Sequence, residues 1–276
     1  MSKDFILYTS KNDKLRISAF GDINNVNSPC LICIHGFKGF KDWGFWPYTA
    51  GYFAEKGFFV LTFNFSHNGI GENLTDFSEI DKFAENTLSL EVEELSELFS
   101  AYTENFFNHK GNKKVGLLGH SRGGGVALLS ALNIKPDAVA LWASISKPDR
   151  YTERQKNEWK KNGVFEVLNT RTNQVMRLNL SVLEDIEQNK NGSLNIKNAV
   201  ENLNCPLFIA HGEQDLTVPV SEAEQLYQWS DKDKTTLYKI PAAGHTFDVV
   251  HPFPGSNLKF EKLLKQTEQF FKTNLF

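Results

Sequence analysis

The chain has 276 residues, 41% of them hydrophobic and 13% aromatic, which suits one α/β domain with a sizeable core. A formal net charge of −3 excludes the basic footprint expected of a nucleic-acid or anionic-membrane binder. Of three cysteines, Cys30 and Cys33 share one predicted strand and point to opposite faces, so they read with Cys205 as small core residues, not as a metal or redox pair.

The start, Met1 to Leu7, lacks a basic region followed by a long apolar stretch, and no segment approaches the ~20 apolar residues of a membrane helix. A cytoplasmic enzyme is the expectation. Phe5 to Tyr8 and Leu15 to Phe20 alternate like an edge hairpin turned at Asn12-Asp13, and Cys30 to His35 is the first buried strand. Trp46 to Lys56 reads as a helix stopped at Gly57, and Phe58 to Phe65 as a strand covered on both faces. Ser66 to Asp76 is a loop at the carboxyl edge. Phe83 to Phe107 is expected to be one long helix, with Glu91, Glu93, Glu94 and Glu97 mostly on its wet side.

Val115 to Leu118 is a strand, Gly124 to Leu129 a helix of small residues, and Ala138 to Ile145 another strand. Residues 146 to 204 then break the βα rhythm. Tyr151 to Lys161 reads as a solvated helix, Val164 to Leu168 and Val175 to Leu178 as a hairpin across 169–173, and Leu180 to Gln188 as a short helix. An insertion here is expected to cap the carboxyl edge and shape substrate access; a flap away from the pocket is the alternative. Cys205 to Ala210 and Thr236 to Ile240 complete the strands, and Leu258 to Phe271 is a closing amphipathic helix. The alternation predicts a doubly wound, mostly parallel sheet in a single domain over 1–276, with a cap at about 146–204.

Four strand ends carry the chemistry. Gly119-His120-Ser121-Arg122-Gly123 joins a strand to a helix, the arrangement of a nucleophile elbow, where the turn leaves no room for side chains at the two outer glycines. His35-Gly36-Phe37-Lys38-Gly39, His211-Gly212-Glu213-Gln214-Asp215 and Gly244-His245-Thr246-Phe247 follow the other strands. A serine alcohol needs a base to take its proton, which suits His245, and Asp215 would hold that ring's tautomer and stabilise its imidazolium. Asp248 is the rival acid but lacks a strand-end position. The backbone N–H groups of Phe37 and Arg122 are the expected oxyanion donors. The Arg122 side chain is not needed for that role and reads as a surface or helix-start cation. His120 is expected to pack or hydrogen-bond beneath the elbow and His35 to fix the oxyanion loop, while His109, His211 and His251 look structural. His67, Trp43 and Trp46 are candidate substrate contacts. The rings Phe37, Phe40, Trp43, Phe45, Trp46 and Tyr48 either form an apolar pocket or wedge their loop onto the domain.

With these motifs the chain resembles the α/β-hydrolase superfamily over nearly its whole length, and within it the small serine esterases and dienelactone-hydrolase-like enzymes, including the cinnamoyl/feruloyl esterase type. Dienelactone hydrolases proper usually carry a cysteine nucleophile, whereas Ser121 stands here. The resemblance implies an eight-stranded α/β-hydrolase sheet and the order Ser121, Asp215, His245 for the triad.

The expected function is a serine carboxylesterase-like hydrolase, acting on small-molecule esters of medium or aryl acids through an acyl-enzyme. An aminopeptidase or amidase of the same fold, which would need acidic or carbonyl groups near Ser121 for a free amino terminus, is the alternative enzyme. A non-catalytic binding protein on a hydrolase scaffold is the alternative class. No H-E-x-x-H, paired C-x-x-C, Walker or dinucleotide pattern occurs, so no metal and no cofactor are expected. Oligomeric state leaves no trace in the sequence.

Overall fold

The computed structural model describes residues 2–169 and 172–276, so the expected hairpin turn at 169–173 lies partly outside the described residues, as does Met1. One eight-stranded sheet forms the frame: β1 (Lys3–Tyr8), β2 (Lys14–Phe20), β3 (Cys30–Ile34), β4 (Phe59–Asn64), β5 (Val115–His120), β6 (Ala138–Trp142), β9 (Leu207–Gly212) and β10 (Thr235–Ile240). Its order is β1-β2-β4-β3-β5-β6-β9-β10; β1 and β2 run antiparallel to their neighbours, and β4, β3, β5, β6, β9 and β10 are mutually parallel. Every residue of β3, β4, β5, β6 and β9 is buried, as near-continuous apolar runs covered on both faces require.

Helices α3 (Leu88–Thr103), α4 (Arg122–Ile134), α7 (Ile196–Glu201) and α8 (Val220–Trp229) cover one face, and α1 (Trp46–Glu55) and α9 (Leu258–Leu275) the other. Cys30 belongs to the first of these two cores and Cys33 to the second, so the two thiols do point apart. On the α9 side, stacked Trp46 and Trp142 lie with ring centroids 6.1 Å apart, and the Trp142 indole N–H donates to Thr267 Oγ1 at 3.0 Å. None of the helices among the described residues is long and apolar enough to cross a membrane.

Several expectations need correction. The long helix at 83–107 is two helices, α2 (Ile80–Ala84) and α3, because Thr87 accepts from the Leu90 N–H as an N-cap and restarts the chain in a new direction. Glu91 and Glu94 of α3 are not on its wet side; they are 3% and 1% exposed, and each is held by polar partners described below. The strand from Ala138 stops at Trp142, because Ala143 turns with φ 48°.

The insertion brings α5 (Glu153–Asn162), β7 (Val164–Asn169), β8 (Gln174–Asn179) and α6 (Leu180–Asn189), and β7 pairs antiparallel with β8. It is less polar inside than its composition implies: Trp159, Met176, Leu178, Val182 and Leu183 are fully buried against Phe40, Ile70, Phe77 and Phe83 of the main fold. The α5 helix is thus not simply solvated. Its Thr152 capping box faces water, while Trp159 packs inward and Lys156 pairs with Asp149 at 2.6 Å.

Candidate active site

The parallel strands all end at one edge, and there the structure brings together Ser121, His245 and Asp215. Ser121 sits between β5 and α4 with φ 58° and ψ −121°, a conformation rare for a residue with a side chain. The turn is possible because a Cβ at Gly123 would stand 2.4 Å from the carbonyl oxygens of Ile34 and His35, and one at Gly119 2.4 Å from that of Gly123. Only glycine admits such contacts. His245 Nε2 lies 3.0 Å from the Ser121 hydroxyl, and its Nδ1 lies 2.7 Å from Asp215 Oδ2. With the Nδ1–H donated to the carboxylate, Nε2 turns its lone pair to the alcohol.

Asp215 is fully buried at its side chain. Burial pushes its carboxyl up, but hydrogen bonds from His211 and His245, with the Val218 amide, outweigh burial and hold it well below the usual carboxylate range. Its Oδ1 accepts the amides of Thr217 and Val218, both at 2.8 Å. His211, read from sequence as structural, touches this group: Nε2 is 2.8 Å from the Val218 carbonyl and 3.3 Å from Asp215 Oδ2. His211 Nδ1 has no partner among the described residues, so the hydrogen belongs on Nε2, where two acceptors face it.

The neighbouring histidines are kept neutral. Burial, and then the adjacent His245, push His120 down to about 3; its Nε2–H donates to the His245 carbonyl at 3.0 Å. Burial pushes His35 down to about 4, and its Nδ1–H donates to the Gly36 carbonyl at 3.0 Å in the loop after β3. Asp248 stands apart, pairing with Lys259 and accepting the Gly244 amide at 3.0 Å.

Two cavities open on Ser121. One, of about 280 Å³, is mostly apolar and runs under the insertion past Leu88, Ile145, Val167, Ile186 and Val218, with Arg122, Arg150 and Tyr151 in its wall. The other, of about 300 Å³, is bordered by Lys38, Trp43, Trp46, Asn169, His245 and Thr246. Phe37 lines both. Among the described residues the backbone N–H groups of Phe37 and Arg122 make no hydrogen bond to another backbone group. The loop at Gly36 approaches so closely that a Cβ there would stand 2.9 Å from Ser121 Cβ and 3.4 Å from its Oγ.

Of the loop rings, Phe37, Trp43 and Trp46 line cavities, Phe40 and Phe45 are fully buried packing, and Tyr48 lies outside, donating to Glu261 at 2.7 Å. His67 lines neither cavity. Its Nδ1 is 2.6 Å from the Ser66 hydroxyl, which Glu94 of α3 in turn engages. The Arg122 side chain is not a surface cation either; it is 12% exposed and donates to buried Glu91 at 2.8 Å and to the Asn86 carbonyl at 3.2 Å. Sequence reasoning missed Tyr151, Arg150 and Asn169 as cavity residues, since only the folding of the insertion carries them to Ser121. The His211 contact had a local signal, its place four residues before Asp215 at the same strand end. No group of three His, Cys, Asp or Glu among the described residues is arranged to hold a metal ion.

The sequence profile of the family described as BAAT / acyl-CoA thioester hydrolase C terminal matches residues 100–271, and that of the alpha/beta hydrolase fold matches residues 29–149. No curated protein matches the sequence. Among solved structures, the alpha/beta hydrolase GrgF from Penicillium sp. sh18 is 18% identical, covers 100% of this chain and 99% of its own, and superposes with a TM-score of 0.77. Est1E from Butyrivibrio proteoclasticus, solved with ferulic acid bound, is 18% identical over 98% of both chains, with a TM-score of 0.70. The Pyrococcus furiosus esterase Pf2001 is 18% identical, covers 100% of this chain and 92% of its own, and gives 0.63. At such identities the likeness is one of fold.

Proposed function

Since this α/β hydrolase belongs to the BAAT / acyl-CoA thioester hydrolase C-terminal family, we propose that it cleaves carboxylic esters of small or aryl acids through an acyl-enzyme on Ser121. The observation that carries this reading is the relay of Ser121, His245 and Asp215 at 3.0 and 2.7 Å, placed where an apolar and a more polar cavity meet. The apolar cavity takes the acyl group and the other the leaving group.

His245 Nε2 accepts the Ser121 proton as Oγ attacks the carbonyl carbon, and buried anionic Asp215 stabilises the imidazolium that forms. The amides of Phe37 and Arg122 receive the oxyanion, each worth about 10²–10³ in rate. The C–O bond then breaks, the leaving alkoxide takes the proton from His245, and water repeats the sequence to release the acid. His120, neutral and donating to the His245 backbone, places no second cation beside that imidazolium.

The aminopeptidase reading loses support, because no Asp or Glu lines either cavity among the described residues, whereas Lys38, Arg122 and Arg150 do. A thioester is the second reading, favoured by the family match, and it requires no different group. A fluorophosphonate probe should label the protein and fail on Ser121→Ala; an unlabelled wild type overturns the serine-hydrolase reading and favours a binding protein. Nitrophenyl esters of graded chain length, acyl thioesters and aminoacyl anilides run side by side then choose the substrate class. Anilides turning over faster than every ester would refute the esterase assignment.

A further inference from the structure

Both arginines in the wall of the apolar cavity have a carboxylate behind them that does not itself line the cavity. Arg150 Nη2 lies 3.3 Å from Glu222 Oε1 and donates to the Thr217 carbonyl at 2.8 Å, with its side chain 27% exposed. Arg122 Nε donates to Glu91 Oε2 at 2.8 Å, and here the pair is nearly dry, 12% and 4% exposed. The Asn86 side chain donates to Glu91 at 2.8 Å and fixes it, and the Arg122 guanidinium lies 5.6 Å from the Phe37 ring centroid. Arg122 Nη1 has no hydrogen-bond partner among the described residues. In a low-dielectric wall an uncancelled guanidinium would dominate the field felt by the acyl group, while a cancelled one leaves a cavity in which a carboxylate loses its hydration without return.

We propose that Glu91 is a specificity-determining residue, which cancels the Arg122 charge so that the cavity accepts uncharged acyl groups and disfavours those ending in a carboxylate. The proposal rests on the acyl group occupying this cavity. A role confined to bracing the elbow would make loss of Glu91 affect charged and uncharged acyl groups alike; a charge-balancing role separates them.

The test uses the Ser121→Ala protein, which leaves esters intact, and measures affinity for benzyl butyrate and monobenzyl succinate, whose poor leaving group keeps both esters stable, by calorimetry near pH 8. Adding Glu91→Gln should tighten the succinate ester about ten-fold or more, while the butyrate ester changes by less than about three-fold. Replacing Arg122 by Gln as well should abolish the gain. Should Glu91→Gln not fold, Glu91→Asp, whose shorter side chain draws the carboxylate back from Arg122, should tighten the succinate ester relative to butyrate in the same direction and by less. Equal shifts for both esters, or none, overturn the proposal. Hydrolysis of the butyrate ester by the protein that retains Ser121 reports separately on the catalytic reading, since binding selectivity is measured without turnover.

Discussion

Gly36→Ala puts a methyl group where the loop after β3, proposed to hold the oxyanion, meets Ser121. The new Cβ would stand 2.9 Å from Ser121 Cβ and 3.0 Å from the His120 carbonyl oxygen, where ordinary contact begins at 3.4 Å, so the loop and the elbow must part by about 0.5 Å. Either the Ser121–His245 contact lengthens from 3.0 Å or the Phe37 amide retreats from the oxyanion position. A misplacement near 1 Å costs about 10² in rate and loss of one oxyanion donor about 10²–10³, so half that movement should lower kcat by about 10- to 100-fold, or about 1.4–2.7 kcal/mol in the barrier. KM should change by less than about three-fold, because the cavity walls stay in place. The assay is kcat and KM on a nitrophenyl ester beside a thermal melt. Gly51→Ala is the control: it lies in α1, a Cβ there meets nothing within 4 Å, and alanine favours a helix by about 0.5–1 kcal/mol. A folded Gly36→Ala protein with full kcat refutes the proposed oxyanion role of the loop that meets Ser121.

Asp215→Asn should lower kcat by about 10³–10⁴, since an amide no longer holds the Nδ1–H tautomer of His245. Because the folded state depresses the Asp215 carboxyl, its stabilisation is present above the ordinary range near pH 4 and is lost as pH falls through the lower folded value; urea melts should show the gap between wild type and variant closing below about pH 4. Glu94 has the opposite sign: burial pushes it up to about 7 against the hydrogen bonds from Ser66. Its contribution is full below the unfolded value near 4.3 and lost as pH rises through about 7, so Glu94→Gln should gain on wild type between pH 5 and 8, by as much as about 3 kcal/mol; a pH-independent difference in melting would contradict this. Thr267→Val strands the buried Trp142 N–H and should cost about 1–3 kcal/mol in chemical denaturation with kcat unchanged.

Strand periodicity, the glycines of the elbow and the order of Ser121, Asp215 and His245 were legible in the chain, because each is a local pattern tied to a strand end. Apolar runs in β3 to β6 and β9 announced a sheet covered on both faces, and the tight turn at Gly119 and Gly123 announced a strained serine. The misreadings fell where a side chain's partner lies far along the chain. Arg122 and Glu91 are 31 residues apart, and Ser66 and Glu94 are 28 apart. A glutamate on a helix reads as wet until a distant donor is folded against it. His67 fell at the expected loop yet bonds to Ser66 and lines neither cavity, and Arg150 and Tyr151 reach the Ser121 cavity only through the packing of the insertion. Periodicity and turn chemistry act between neighbours, so sequence alone determined which groups stand at the carboxyl edge. Burial and charge pairing act across the whole chain, so only the tertiary structure decided which of those groups meet, which are neutral, and what fills the cavity wall.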